Sequence, residues 1–296
     1  MGVFTITTTS SFVGLSNTKH LVVHRFFDDL ADVYLGEDGV LVGTLPAHKI
    51  SFAPESNLIG VLNNNLFEVF HVRDLTITFL NKAVAGEVAE VIKSPRYVGF
   101  ISLSPEGDVS ATAFDGVQAY TWKPNVKCGD LGEAVALGEI LYFECNDAIY
   151  ATIGEKTVEI EGIKDPLYLI TDGKSVYTLD GNKIYEIDFI DNEFKVSEVI
   201  TLPRSLDESE DYRLIGTGGG RILVKMVGDN PFSDVMMIIN KENKRIETII
   251  PPKKDLEPMD GAISPNGKLV AIEWESEFSP IGVVTLWTLK DHSTSA

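Results

Sequence analysis

Three stretches decide the fold: SFAPESNLIGVLNNNLFEVFHV (51–72), SLSPEGDVSATAFDGVQAYTWK (102–123) and AISPNGKLVAIEWESEFSPIGVVTLWTLK (262–290). Aligned on Pro54, Pro105 and Pro265, each places an apolar residue four positions on: Leu58, Val109 and Leu269. Two positions further stands a small residue: Gly60, Ala111 and Ala271. Equal parity sets both on one face of a strand, and a small residue there suits close packing against a neighbouring sheet. The Pro-x-Gly element is a corner. Pro presets φ for a turn, and Gly or Asn permits the positive φ at its end. A weaker copy, ITDGKSVYTLDGNKIYEID, starts at Ile170.

The same grammar extends outward. Short runs rich in Val, Ile, Thr and aromatics recur between Gly, Asn, Asp and Pro breaks, the strand-and-turn pattern. Leu58–Leu62, Val109–Phe114, Ile140–Phe143, Val176–Leu179, Ile222–Val227 and Leu269–Trp274 are each followed by a second run, so each pair reads as a hairpin. The first two copies lie 51 residues apart, and 160 residues separate Pro105 from Pro265. Units of roughly 40–45 residues fit that spacing. The parse gives seven units: 10–47, 48–93, 94–131, 132–162, 163–202, 203–251 and 252–290. The last supplies three clear strands. The alternating run Val3–Thr9 supplies a fourth and would join the two ends of the chain, removing open edges. Two segments fit a short helix as well as strand edges: Lys82–Lys93, and Phe26, Phe27, Leu30, Val33 and Tyr34.

The Ser-Pro-x-Gly-x-apolar pattern, the hairpin behind it, and Trp122 or Trp287 closing the next strand resemble β-propellers of the WD40-like or TolB-like type. The resemblance spans the whole chain. It implies an all-β fold: a single propeller domain over 1–296, of seven four-stranded blades, closed by the N-terminal strand. The Gly-His pair of the regular repeat is absent, and Lys123 and Thr288 follow the two tryptophans.

Charge narrows the function. The chain carries 44 Asp and Glu against 25 Lys and Arg, a net −19 over 296 residues. Such a surface repels phosphate backbones and anionic membranes, so neither nucleic acid bound by bulk charge nor a membrane is expected as a partner. No run approaches 18 apolar residues. MGVFTITTTSSF lacks the basic region and apolar core of a signal peptide. Two cysteines, Cys128 and Cys145, make no disulfide framework and read as small hydrophobes with reduced thiols. The expectation is a cytoplasmic protein.

No catalytic motif, metal set or cofactor loop emerges. His20 and His24 share a face at either helical or strand spacing, but no third ligand of matching context accompanies them. Gly216–Gly220 is glycine-rich, yet Arg221–Lys225 behind it reads as a strand, so the run is a turn. Glu273, Glu275 and Glu277 alternate along a strand and read as one exposed face. Asp207, Glu208, Glu210 and Asp211 form an acidic loop, and Phe232 and Phe278 sit on loop tips where an aromatic can anchor an interface. These six are the candidate partner-binding residues. No catalytic or metal-ligating residue and no cofactor is assigned.

The reading is a non-catalytic protein–protein interaction module or scaffold subunit, with an acidic surface for a basic protein partner. The alternative is a propeller enzyme (a metal-dependent hydrolase, lactonase or lyase) or a small-molecule sensor. It would use the central channel, with Asp172, Glu139 or Asp260 in the pocket.

Overall fold

The computed structural model describes residues 1–7, 10–86, 88–203, 211–228, 233–276 and 281–289. Every regular element among them is a strand. The chain opens with β1 (Gly2–Thr7). Blade 1 is β2 (Ser11–Leu15), β3 (His20–Arg25), β4 (Leu30–Leu35) and β5 (Val40–Pro46). Blade 2 is β6 (Lys49–Ala53), β7 (Leu58–Asn63), β8 (Leu66–Arg73) and β9 (Thr76–Val84). Blade 3 is β10 (Val88–Lys93), β11 (Val98–Leu103), β12 (Val109–Phe114) and β13 (Ala119–Trp122). Blade 4 is β14 (Leu131–Leu137), β15 (Ile140–Cys145), β16 (Ala148–Ile153) and β17 (Lys156–Glu159). Blade 5 is β18 (Leu167–Thr171), β19 (Val176–Asp180), β20 (Lys183–Ile190) and β21 (Glu193–Thr201). Blade 6 is β22 (Asp211–Gly218), β23 (Arg221–Val227), β24 (Val235–Asn240) and β25 (Arg245–Ile249). Blade 7 is β26 (Glu257–Ile263), β27 (Leu269–Glu275) and β28 (Ile281–Thr288), completed by β1.

Each blade is an antiparallel meander. Five stand as separate four-stranded sheets. Blades 3 and 4 share one eight-stranded sheet, because β10 and β14 pair in parallel at Ile92↔Ala134 and Lys93↔Val135. A count of separate four-stranded sheets therefore gives five, and a count of repeating meanders gives seven. The cores follow the meanders. Seven buried apolar clusters occur among the described residues, one at each junction between neighbours around the ring, including the junction of blade 7 with blade 1. That last junction closes through β1, whose register with β28 runs from Gly2↔Leu286 to Thr7↔Ile281. Ile6 carries it into the core beside Leu15, Leu21 and Val284.

Several expectations need correction. Val88–Lys93, grouped above with 48–93, pairs with β11 and opens blade 3. Ser104-Pro105-Glu106-Gly107 consequently turns from the second strand of its blade to the third, whereas Pro54 and Pro265 turn from the first to the second. The true counterpart in blade 3 is Ser94-Pro95. The turn chemistry itself holds: the Gly107 and Gly267 amides donate to Ser104 and Ser264 at 2.9 and 2.8 Å, with φ at 84° and 67°. Neither candidate helical segment is a helix. Lys82–Lys93 divides between β9 and β10, and Phe26 and Phe27 sit exposed in the turn before β4. Cys128 and Cys145 are both buried and form a disulfide with Cα atoms 5.6 Å apart, within the span such a bond requires. The expectation of reduced thiols fails, and the cysteine-based part of the case for a reducing compartment falls with it.

The small residues behave as read. A Cβ on Gly60 would lie 2.3 Å from Phe67 Cζ and 2.9 Å from Val98 Cβ of the next blade. Blade 2 can approach blade 3 only because nothing is there. Gly216–Gly220 ends β22 and turns into β23. Gly219 donates to Pro265 O at 2.9 Å, and any side chain on it would strike the Asn266 carbonyl.

Candidate functional site: the axial channel and its two mouths

The first strands of the blades stand side by side around the axis. They run in one direction, so first-to-second turns gather on one face and second-to-third turns on the other. We call these the lower and upper faces. A cavity of about 300 Å³ occupies the lower part of the channel. Phe12, Ile50, Phe52, Leu214 and Ile263 give it an apolar wall, and the corners at Pro54, Pro95, Asp172 and Pro265 form its rim.

Asp172 is fixed by its own turn. Its Oδ1 accepts from the Lys174 and Ser175 amides, both at 2.9 Å. Its Oδ2 lies 3.0 Å from the Tyr177 hydroxyl, which is 2.7 Å from Glu186 Oε1. Lys241 reaches across from blade 6. It donates to the Tyr177 hydroxyl and to Glu186 at 2.8 Å, and its ammonium sits 4.4 Å from the Tyr177 ring centroid. Burial and the two carboxylates push the Tyr177 phenol far up, so it stays protonated. Burial also works to raise Glu186. The hydrogen bonds from Lys241 and Tyr177 outweigh it and hold the carboxyl below its ordinary range. The constellation fastens blade 5 to blade 6.

A second tie crosses blades 3, 4 and 5. Glu133 pairs with Lys93 at 2.5 Å and accepts from the Leu169 amide at 2.8 Å. The Glu133 amide donates to Glu144 at 3.0 Å. Burial raises the Glu144 carboxyl to about 7.

The upper mouth, between blades 6, 7 and 1, lies over a cavity of about 390 Å³ bordered by two bases, Arg213 and Lys225, and two acids, Asp260 and Glu275. Asp260 accepts from the amides of Phe12 and Gly261, both at 2.8 Å, and so stitches blade 7 to blade 1. Burial nevertheless lifts it to about 6. Glu273 stands opposite Asp260 on β27. Its residue is fully buried, which corrects the reading of an exposed Glu273–Glu277 face; Glu277 lies outside the described residues. Its Oε1 accepts from Ser10 at 3.2 Å and its Oε2 has no partner. Burial, with Glu275 and Asp260 adding repulsion, raises it to about 8. Lys225 is paired with Asp234 at 2.8 Å.

The remaining candidates scatter. Asp211 opens β22 on the upper face and is exposed. Asp207, Glu208, Glu210, Phe232 and Phe278 lie outside the described residues. Glu139 is exposed in the β14–β15 turn. His20 donates from Nε2 to the Asp74 carbonyl at 3.0 Å, and its Nδ1 takes the Thr18 hydroxyl at 2.9 Å. His24 donates from Nε2 to the Ala47 carbonyl at 3.0 Å. The two therefore serve different structural ties. Among the described residues, no group of three or more His, Cys, Asp and Glu is placed to hold a metal ion. Glu273 and the Tyr177–Lys241 tie were not assigned from sequence, because their partners come from other blades.

No protein-family profile matches the chain, and no curated protein matches it in sequence. Solved structures do match in fold. The Cps50 (Swd1) β-propeller domain of Myceliophteria thermophila is 9% identical with a TM-score of 0.67, over 97% of this chain and 100% of that one. A chain of the mitotic checkpoint complex is 12% identical with a TM-score of 0.59, over 95% and 90%. Apo AztD from Citrobacter koseri is 10% identical with a TM-score of 0.56, over 84% and 76%. At these identities the likeness carries the fold alone: a β-propeller.

Proposed function

We propose that the chain is a non-catalytic interaction module or scaffold subunit that binds a basic protein through its upper face. The observation that carries this reading is the acid excess of 44 against 25 on a rigid ring. Among the described residues, Lys19, Arg25, Lys49, Lys93, Arg96, Lys127, Lys183, Lys225, Lys241 and Arg245 pair with acids of their own chain. The net charge of the whole chain stays acidic, and the exposed Asp211 at the upper end of β22 belongs to it. A field of that kind speeds encounter with a cationic surface and is screened within about 8 Å at physiological salt. One structural neighbour is a chain of a larger assembly, the mitotic checkpoint complex, which supports the scaffold reading.

The test is a tagged pull-down from source lysate at low salt, read by mass spectrometry, beside a variant with Asp207, Glu208, Glu210 and Asp211 changed to Ser. A near-stoichiometric basic partner is expected, released by salt and retained about tenfold less by the variant, the scale of about 1.4 kcal/mol. Equal retention by the variant removes this acidic run from the interaction. The lower cavity favours a second reading, a channel-bound small molecule. Metal analysis and a hydrolase panel address that reading if the protein is recovered alone.

A further inference from the structure

Two outer strands, β9 and β21, are each nine residues long and end their sheets. Both carry a β-bulge, so the bulge does not separate them. Their side chains do. β21 (EFKVSEVIT) exposes Glu193, Lys195 and Glu198, and Glu198 is paired with Lys183 at 3.1 Å. Charges of this kind are how soluble sheets keep their edges from pairing. β9 (TITFLNKAV) has no acid at all in a chain of 44. Phe79 is 49% exposed, Leu80 41% and Val84 74%. Leu75 before it and Val40 and Leu41 on the neighbouring β5 are exposed too, and a Cβ on Gly43 of β5 would touch Ile77 Cδ1, so β5 adjoins β9 on one side.

We propose that the β9 edge pairs with the β9 edge of a second copy of this chain, as a weak antiparallel dimer joining two blades into one sheet. Charge chooses the occupant. A basic partner gains nothing from a strip whose one charge is Lys82. Two copies at −19 each repel wherever acids meet, and β9 is a long edge where none do. A two-fold register centred on Leu80 sets Phe79 against Asn81, Ile77 against Ala83 and Thr78 against Lys82. No charge faces its own copy, as an isologous interface requires. The contact is small, so association is concentration-dependent. It also strengthens with salt, which screens the mutual repulsion. Partner binding at the upper face weakens with salt, so the two ideas fail separately.

The experiment is sedimentation velocity on the full chain across about 5–500 µM, at low and high salt, with hydrogen exchange on the same samples. The expected result is a shift from 32.5 kDa towards twice that mass, larger at high salt. Exchange slows over 76–84 and not over 193–201. A Phe79→Lys, Leu80→Lys double variant stays monomeric with an unchanged circular dichroism spectrum, since both side chains are exposed. A monomer at every concentration and salt overturns the proposal. So does a dimer whose protection maps elsewhere, or one that the double variant forms equally well. If the double variant fails to fold, Thr78→Glu, an exposed position on the same edge, takes its place with the same expectation.

Discussion

Glu273 is a buried carboxyl whose Oε1 accepts from Ser10 and whose Oε2 has no partner. The folded chain binds its proton more tightly than the unfolded chain, because burial lifts it from the ordinary 4.5 to about 8. Stability therefore falls as pH rises from about 4.5 to about 8 and levels off above, the reverse of the usual carboxylate in an ion pair. Asp260 at about 6 and Glu144 at about 7 add slopes of the same sign inside that window. Glu273→Gln keeps the shape and removes the largest of the three. The melting temperature of the variant should be nearly flat between pH 7 and pH 8, where Glu273 alone of the three still lowers the stability of the wild type, by up to about 1.4 kcal/mol per pH unit. Parallel pH profiles for the two proteins would show that Glu273 is not the group responsible. The sequence offered no sign of this burial. Alternation sets Glu273 and Glu275 on one face of β27, but only the meeting of blades 7 and 1 decides that Glu273 points inward.

At the scale of elements, the disulfide makes the sharpest claim. It ties the segment entering β14 to the end of β15, closing 17 residues. A loop of that length is worth about 3 kcal/mol by chain entropy. Urea midpoints with and without reductant should differ accordingly, and identical midpoints with two titratable thiols would show the cysteines to be free. The hairpins were legible because period two and turn residues are local signals, and every paired run noted in the sequence forms consecutive strands. The phase of blade 3 was not. Ser104-Pro105-Glu106-Gly107 and Ser264-Pro265-Asn266-Gly267 encode the same turn, but a turn's sequence does not say which two strands of a blade it joins. Ser94-Pro95-Arg96-Tyr97 has neither glycine nor asparagine to mark the corner. The cysteine pair was hidden for a related reason: Cys145 pairs with Leu131, three residues past Cys128, and the contact exists only once the hairpin is built.

For the whole molecule, the core is distributed. Each apolar cluster belongs to two blades, so no blade can melt without stripping both neighbours. Urea unfolding followed by tryptophan fluorescence, from Trp122 in blade 3 and Trp274 and Trp287 in blade 7, should coincide with far-ultraviolet circular dichroism. A fluorescence change that precedes the loss of strand signal would mean that part of the ring opens alone. Charge was the whole-molecule property legible from composition. Its placement was not, since Asp211, Asp260 and Glu275 come from three strands.

The pairing of β1 with β28 has a temporal side. The two strands lie far apart along the chain, with 273 residues between Thr7 and Ile281. At ribosomal rates of about 5–20 residues per second, β1 waits roughly 15–55 s for its mate. Throughout that interval six meanders can form while the apolar side of Ile6 has nowhere to go. Until β28 is made, the nascent ring is an open arc between blade 1 and blade 7. The emergence of β28, rather than of β1, decides when the arc becomes a circle.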